Sequence, residues 1–141
     1  MRLPLIVTLM GYAGLTPFLL GPLWLTVSPA SAPEWLDRVW LHYVTLIAAF
    51  LAGTFWGFAL PAIQGPAGIA GLVIASFFLA VTWLAMSLPA VQLHLLAVVF
   101  LLLLIGDFWR ERTLDTLPGY FRLRATLTVG AIGAIAWRLM L

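Results

Sequence analysis

The chain alternates long apolar stretches with short polar or proline-containing breaks. Five stretches, residues 5–27, 39–60, 67–88, 91–106 and 120–141, approach or exceed the ~20 apolar residues that a helix needs to cross a bilayer. The breaks contain helix-interrupting residues: Pro29, Pro33, Pro61, Pro66, Pro89 and the pair Pro118-Gly119. The pattern therefore predicts an all-α integral membrane bundle of five transmembrane helices, with residues 1–141 forming a single transmembrane domain.

The composition agrees with this class. Of the 141 residues, 64% are hydrophobic and 9% are charged, which leaves too few charges to cover the surface of a soluble domain. Cysteine is absent, which excludes disulfides, thiolate metal sites and a cysteine nucleophile. No known catalytic or nucleotide-binding motif is present, so we expect a non-catalytic protein without a cofactor.

The distribution of arginines predicts an orientation. Five arginines (Arg2, Arg110, Arg112, Arg122 and Arg124) fall on the side of the N-terminus, and only Arg38 and Arg138 fall on the other side. Basic residues in short connections stay cytoplasmic, so we expect the N-terminus inside, the C-terminus outside and the connector 107–124 in the cytoplasm of a bacterial cell, beneath its inner membrane. The first stretch resembles a signal peptide but is about twice as long as the usual apolar region, so we expect a retained helix.

Small residues predict which helices pack closely, because they allow helix backbones to approach in lipid. The predicted packing residues are Gly53, Gly57, Gly71, Gly130 and Gly133. These glycines place the second, third and fifth helices at the centre of the bundle. The fourth stretch carries large apolar residues on every side, so we expect it at the periphery, facing lipid or a partner.

Polar residues in the inner half of the bilayer form the best candidate site. They are Tyr12, Thr16, Thr54, Trp56, Asp107, Arg122, Arg124 and Thr126. A charged side chain in lipid needs a partner, so Asp107 is expected to pair with Arg122 or Arg124, with Arg122 favoured. Two interpretations remain open: a pocket for an anion, a lipid headgroup or a quinone, or a structural ion pair at the rim of the bundle.

His42 and His94 form a second, weaker candidate. Each lies about four residues inside a predicted span from the outer side, which is the arrangement of two axial ligands of a b-type haem. However, no carboxylate is placed to complete a metal site, and histidines are common at membrane interfaces. We therefore expect no metal.

Several segments together resemble a known family. They are GYAGLTPF at 11–18, FLAGTFWGFAL at 50–60, WLA at 83–85, Asp107 and YFRLRATLT at 120–128. In order and spacing they are similar to a small polytopic membrane-protein family of unknown function that includes mitochondrial transmembrane protein sixty-nine. The chain departs from the family pattern at Phe55, where histidine is frequent, and at Gly119, where tryptophan is. The resemblance implies a five-span bundle in a bacterial inner membrane and brings no established activity.

Three functions fit these observations. The first is an accessory or assembly subunit of a larger membrane complex, such as a respiratory one. The alternatives are a small carrier or binder of a lipid, quinone or other amphiphile, and a b-type haem-binding electron-transfer protein. The expected partners are the lipid bilayer, other membrane proteins and further copies of the chain in a homo-oligomer. A nucleic-acid partner is not expected, because the arginines are scattered rather than gathered on one face.

Overall fold

A computed structural model describes residues 4–113 and 118–141, and this part of the chain is helical without strands. Its long helices are α1 (Leu5–Val27), α2 (Leu36–Ala59), α3 (Pro66–Met86), α4 (Gln92–Thr113) and α5 (Tyr120–Leu139). Short 3-10 turns at Pro29–Ser31, Leu60–Ala62 and Pro89–Val91 join the first four, each with proline in its first two positions. The prediction of an all-α protein is confirmed.

Four of these helices are long and apolar enough to cross a membrane. They are Leu5–Val27, Leu36–Ala62, Pro66–Met86 and Pro89–Thr113, counting the adjoining 3-10 turns. Helix α5 is not among them, since Arg122, Arg124 and Arg138 lower its hydropathy. The chain is therefore a multi-pass membrane protein by length and composition, and a membrane-spanning α5 remains a prediction.

The helices form a ring in chain order that closes where α5 meets α1, and α2 also touches α4 across the ring. Short connections make successive helices antiparallel, so α1 and α5 run parallel. The indole nitrogen of Trp137, near the end of α5, accordingly donates to Thr26 Oγ1, near the end of α1, at 2.9 Å. We call this end of the bundle, which also contains Asp37, the Asp37 end; the opposite end contains Arg110 and is called the Arg110 end.

Helix α4 packs against three other helices through a fully buried face, so the prediction that it lies at the periphery is wrong. It contacts α2, α3 and α5. Its buried face carries Leu96, Val99, Phe100 and Leu103, while Leu101 and Ile105 are exposed. Because both faces are equally apolar, hydropathy could not reveal which face the other helices cover. The arrangement became visible only in the packed bundle.

Helix α4 also extends beyond the predicted limit at residue 106. It continues to Thr113, and α5 begins at Tyr120. Most of the predicted connector 107–124 is therefore helix; positions 114–117 lie outside the described residues. Charged residues suggested a loop, but here Asp107 and Arg110 pair on one helical face, which removes the penalty for keeping them in the helix.

Only two of the five predicted packing glycines lie at close helix contacts. A Cβ added at Gly71 would lie 2.7 Å from Ala59 Cβ, and one added at Gly130 would lie 2.9 Å from Leu15 Cδ2. Gly53, Gly57 and Gly133 are exposed, and no atom lies within 4 Å of an added Cβ. These three glycines therefore lie on faces of α2 and α5 that no other helix in the described part of the chain covers.

Candidate functional site: a buried charge cluster beside a membrane-facing cavity

Three charged side chains meet inside the Arg110 end of the bundle. Asp107, Arg110 and Arg124 are 2%, 1% and 4% exposed, respectively. Spacing of three residues places Asp107 and Arg110 on one face of α4. The antiparallel neighbour α5 brings Arg124 against that face from the other side.

The carboxylate of Asp107 is shared between the two arginines. Its Oδ1 contacts Nη2 of Arg110, and its Oδ2 lies 3.1 Å from Nη2 of Arg124. Arg110 also donates from Nη1 to Thr54 Oγ1 on α2, at 2.9 Å. One carboxylate facing two guanidinium groups leaves the buried cluster with one positive charge in excess, counted over the described residues.

Aromatic rings enclose the guanidinium of Arg110. Its Cζ lies 4.4 Å from the ring centroid of Phe55, 4.6 Å from that of Phe58 and 5.3 Å from that of Tyr120. The close approach of Phe55 requires a glycine on α4, since a Cβ at Gly106 would lie 2.8 Å from Phe55 Cζ. Cation–π attraction in a site shielded from water stabilises Arg110 in one position. Arg110 is thus fully engaged by its neighbours.

Arg124 is not fully engaged. Its Nη2 is within ion-pair distance of Asp107, but its Nε and Nη2 donate no hydrogen bond to any group in the described part of the chain, and Asp107 Oδ2 accepts none. The 3.1 Å contact between Nη2 and Oδ2 is thus an ion pair whose N–H groups are not aligned for a hydrogen bond. Buried polar groups in proteins are normally hydrogen-bonded, so an exception calls for an explanation.

Thr128, one turn after Arg124 on α5, is the second exception. It is 1% exposed, and its Oγ1 has no hydrogen-bond partner among the described residues. Other helical threonines donate to the carbonyl four residues earlier, as Thr82 does to Phe78 at 2.8 Å and Thr126 does to Arg122 at 2.9 Å. The hydroxyl of Thr128 does not use this local option.

Arg124 and Thr128 both line a cavity of about 430 Å³ between α1, α2, α4 and α5. Apart from these two residues, Thr54 and Tyr120, the lining is apolar: Val7, Met10, Gly11, Gly14, Leu15, Phe18, Ile47, Phe50, Leu51, Phe100, Leu123, Leu127 and Ala131. Met10 and Phe50 are each 68% exposed, so the cavity opens sideways between α1 and α2, toward the lipid. The position of the cavity follows from the path of α1, because α1 contacts α2 through the second half of α1.

That path is set by contacts nearer the Asp37 end. The hydroxyl of Tyr43 on α2 donates to the Gly14 carbonyl, and the indole of Trp40 donates to the Phe18 carbonyl at 3.0 Å. A Cβ at Gly21 would lie 2.6 Å from Trp40 Cδ1, so the indole packs directly on the backbone of α1 there. Toward the Arg110 end, α1 leans on α5 through Gly11 and Leu127, which leaves the gap beside α2.

The structure brings together three of the eight residues predicted for this site. Thr54, Asp107 and Arg124 belong to the cluster. The other five lie on the exposed surface: Tyr12, Thr16, Trp56, Arg122 and Thr126. Arg124, rather than the favoured Arg122, approaches Asp107, because the two arginines point about 200° apart around α5 and the Thr126 face is turned outward.

Sequence reasoning missed Arg110, Phe58, Tyr120 and Thr128. Two spacings could have indicated Arg110 and Thr128. Asp107 and Arg110 are three residues apart, and Arg124 and Thr128 are four apart, so each pair shares a helical face if its helix is continuous. The assumed end of the fourth helix at residue 106 concealed the first of these pairs.

The two histidines lie away from this cluster. His42 and His94 are both exposed, and the contact between α2 and α4 at this level is made by Gln92, which donates to Thr45 Oγ1 at 3.3 Å. His94 is two residues from Gln92 and therefore points to the opposite side of α4. Among the described residues no group of three or more possible metal ligands is found. The placement gives the haem hypothesis no support.

A family described as "Protein of unknown function (DUF3429)" matches residues 3–140. The chain belongs to this family. The chain is also 31% identical over 134 residues to Transmembrane protein 69 of Xenopus tropicalis, an alignment that covers 93% of this chain and 52% of that relative. The chain thus spans about half the length of the relative. No solved structure matches. The resemblance found in the sequence is confirmed, and the family brings no activity.

Three of the segments on which the DUF3429 resemblance rests, 11–18, 50–60 and 120–128, contribute to the cavity wall, whereas 83–85 does not. Segment 11–18 supplies part of α1's wall, segment 50–60 supplies Thr54, and segment 120–128 supplies Arg124 and Thr128 beside Asp107. The two departures, Phe55 and Gly119, lie outside the cavity lining. Phe55 covers Arg110, and Gly119, with φ 80°, turns the chain into α5 in a conformation that favours glycine.

Proposed function

We propose that this DUF3429 protein binds one amphiphile from the bilayer in the cavity between α1 and α2. The observation that carries the proposal is the pair of buried polar side chains, Arg124 and Thr128, that lack hydrogen-bond partners in the described part of the chain and line an apolar cavity. Small-molecule sites are mostly apolar concavities of ~300–1,000 Å³ with a few polar groups that fix the ligand.

The free-energy cost of burying Arg124 supports the same function. A guanidinium in a low-dielectric environment is costly unless its donors are paired, and Asp107 is already engaged by Arg110. A polar head placed at Arg124 supplies the missing acceptors, while the tail extends along Ile47, Phe50 and Leu127 toward lipid.

The proposal places the cavity in the inner half of the membrane. The arginine asymmetry supports an N-terminus inside and a C-terminus outside, which puts the Arg110 end on the cytoplasmic side of a bacterial inner membrane. It also supports α5 as a fifth span, because its arginines at the two ends have partners: Arg124 meets Asp107, and Arg138 meets Asp37.

An accessory or assembly role in a larger complex is the second candidate, and one observation favours it. Gly53 and Gly57 form a G-x-x-x-G face on α2 that no other helix of the described chain covers. Such faces are common contacts between transmembrane helices, in hetero-complexes or in homo-oligomers. Mild-detergent purification followed by subunit counting tests this role, and a strictly monomeric, partner-free protein would contradict it.

Native mass spectrometry of the detergent-purified protein tests the binding function. We expect an additional mass corresponding to one amphiphile per chain. Gly14→Leu should remove this mass, because Gly14 lines the cavity and the nearest atom to an added Cβ, Tyr43 Oη, lies 3.8 Å away, so the new side chain enters the cavity. Gly53→Leu is the matched control on the exposed face and should retain the mass. Equal occupancy in both variants would refute the cavity as the site.

A further inference from the structure

We infer that the amphiphile is an anion with a carboxylate head and a single acyl chain, and that Arg124 and Thr128 hold its head. The inference rests on the proposed binding function and specifies its ligand. Three observations carry it: the excess charge of the cluster, the donors that Arg124 leaves unused, and the size of the cavity.

The charge of the cluster favours an anionic head over a neutral or cationic one. Asp107 carries one negative charge against the positive charges of Arg110 and Arg124, and these three side chains are at most 4% exposed. Neighbouring Glu111 and Arg122 are exposed and contribute no buried charge. A bound monoanion makes the cluster neutral, whereas a neutral head leaves the surplus charge in a medium that solvates it poorly.

The geometry of the unused donors suits a carboxylate. Nε and Nη2 form one edge of a guanidinium, and this chain shows what such an edge binds: Arg138 donates from Nε to Asp37 Oδ1 at 2.8 Å and from Nη2 to Oδ2 at 2.6 Å. Nε of Arg124 has no hydrogen-bond partner in the described residues, and Nη2, which lies 3.1 Å from Asp107 Oδ2, carries a second N–H that can point to another acceptor. A planar, bidentate carboxylate matches this fork.

Thr128 adds a third donor on the same face of α5. Thr128 is four residues beyond Arg124, so the two residues share one face of α5 and line the same cavity. Because the hydroxyl makes no bond to its own helix, it can donate to the second lone pair of a carboxylate oxygen. The two residues thus form a site with one charge and three donors.

The cavity volume limits the tail. About 430 Å³ lies near the lower end of the usual ligand-site range and suits one acyl chain better than the two chains of a phospholipid. The exposed Met10 and Phe50 flank the opening, so the end of a longer chain can extend between α1 and α2 into the bilayer.

Binding measurements with the full chain, purified free of its native ligand, test the head group. The probes are oleate, oleyl alcohol, lysophosphatidic acid and decylubiquinone, titrated in detergent and followed by native mass spectrometry. We expect one oleate per chain, binding about tenfold or more tighter than oleyl alcohol, because only the carboxylate pairs with Arg124. Tighter binding of lysophosphatidic acid than of oleate would mean that the site prefers a phosphate head to a carboxylate. Tighter binding of decylubiquinone would show that the ligand is not an anion.

Variants assign the interaction to residues. Arg124→Gln should weaken oleate about tenfold or more and leave oleyl alcohol unchanged, while Arg124→Lys should retain part of the preference. Thr128→Val should weaken oleate severalfold. Arg122→Gln, two residues away and exposed, is the control and should change nothing. If Arg124→Gln folds but binds oleate as well as the wild type, the inference is wrong.

The same experiment separates this inference from the proposed function. Gly14→Leu should abolish binding of oleate and oleyl alcohol alike, because it occupies the tail region. Equal affinity for all four probes, lost in Gly14→Leu, would keep the cavity as an amphiphile site and overturn the carboxylate. Binding of no probe, or binding that Gly14→Leu leaves intact, would overturn both.

Discussion

Asp107 and Arg124, which are 17 positions apart in the sequence, place Oδ2 and Nη2 at a distance of 3.1 Å in the interior of a membrane protein. The carboxylate has a second arginine on its own helix, Arg110, held by Thr54 and three aromatic rings. Asp107 and Arg110 therefore form the fixed part of the cluster. Arg124 is the arginine that lines the cavity, and its hydrogen bonds are incomplete among the described residues.

Asp107→Asn should strongly destabilise the bundle. It leaves two buried guanidinium groups without a counter-charge, and the removal of one partner of a buried ion pair costs about 3–5 kcal/mol. Arg124→Gln should cost less, about 1 kcal/mol, because the Asp107–Arg110 pair remains neutral. Unfolding titrations with SDS in mixed micelles measure both free energies of unfolding.

The double variant distinguishes pairing from independent effects. Asp107→Asn combined with Arg124→Gln should lose at least ~1 kcal/mol less than the sum of the single losses, since it removes one of the unpaired charges. Strict additivity would mean that Arg124 and Asp107 do not interact energetically. The combination with Arg122→Gln is the control, and additivity is expected there, because Arg122 is exposed.

Thr128→Val should stabilise the ligand-free protein by about 1 kcal/mol. A buried hydroxyl without a partner loses its hydrogen bonds to water and gains none in the protein, and valine has nearly the same shape. Thr82→Val is the matched control: this hydroxyl is also buried but donates to the Phe78 carbonyl, so its removal should lower the free energy of unfolding by about 1 kcal/mol. Equal losses in both variants would indicate that Thr128 has a partner.

Gly71→Leu should destabilise the contact between α2 and α3 by about 1–3 kcal/mol. An added Cβ would lie 2.7 Å from Ala59 Cβ, so the helices must separate. Gly53→Leu on the open face should change the free energy of unfolding by no more than about 0.5 kcal/mol. Thermal melts in detergent compare the two. A large loss from Gly53→Leu in a monomer would contradict the exposed position of this residue.

Reporter fusions test the predicted orientation. A reporter after Leu141 should be periplasmic and one after Arg112 cytoplasmic, because the arginines concentrate at the Arg110 end. The ion pair of Asp37 with Arg138 puts the start of α2 and the end of α5 at the same end of the bundle. Cytoplasmic activity after Leu141, with α1 inserted normally, would contradict a membrane-spanning α5.

Much of the architecture could be predicted from composition and from the positions of the prolines. Long apolar runs between prolines predict helices, because only an element that satisfies its own backbone hydrogen bonds is stable in lipid. The first helix has the bounds Leu5–Val27, and the prolines at 29, 61 and 89 fall in 3-10 turns between helices. An ion pair at Asp107 could likewise be anticipated, since a carboxylate in lipid needs a basic partner.

The sequence could not decide which of two arginines supplies that partner or which face of an apolar helix is buried. Leu96 and Leu101 are chemically identical, yet one is buried and the other faces outward. Gly53 and Gly71 are equally small, yet only Gly71 meets a neighbouring helix. In a membrane the hydrophobic effect does not sort the faces of a helix, because lipid is as apolar as the protein interior.

Membrane compatibility, the approximate positions of the first three helices and the need for a paired charge were thus determined by the sequence alone, because each depends on the solvent and on local backbone chemistry. The tertiary structure decided the partners: Arg124 rather than Arg122 at Asp107, Arg110 among aromatic rings, and Thr128 at the cavity wall. These depend on the rotation of each helix about its axis, which is fixed by close packing and by polar contacts between helices that are distant in sequence.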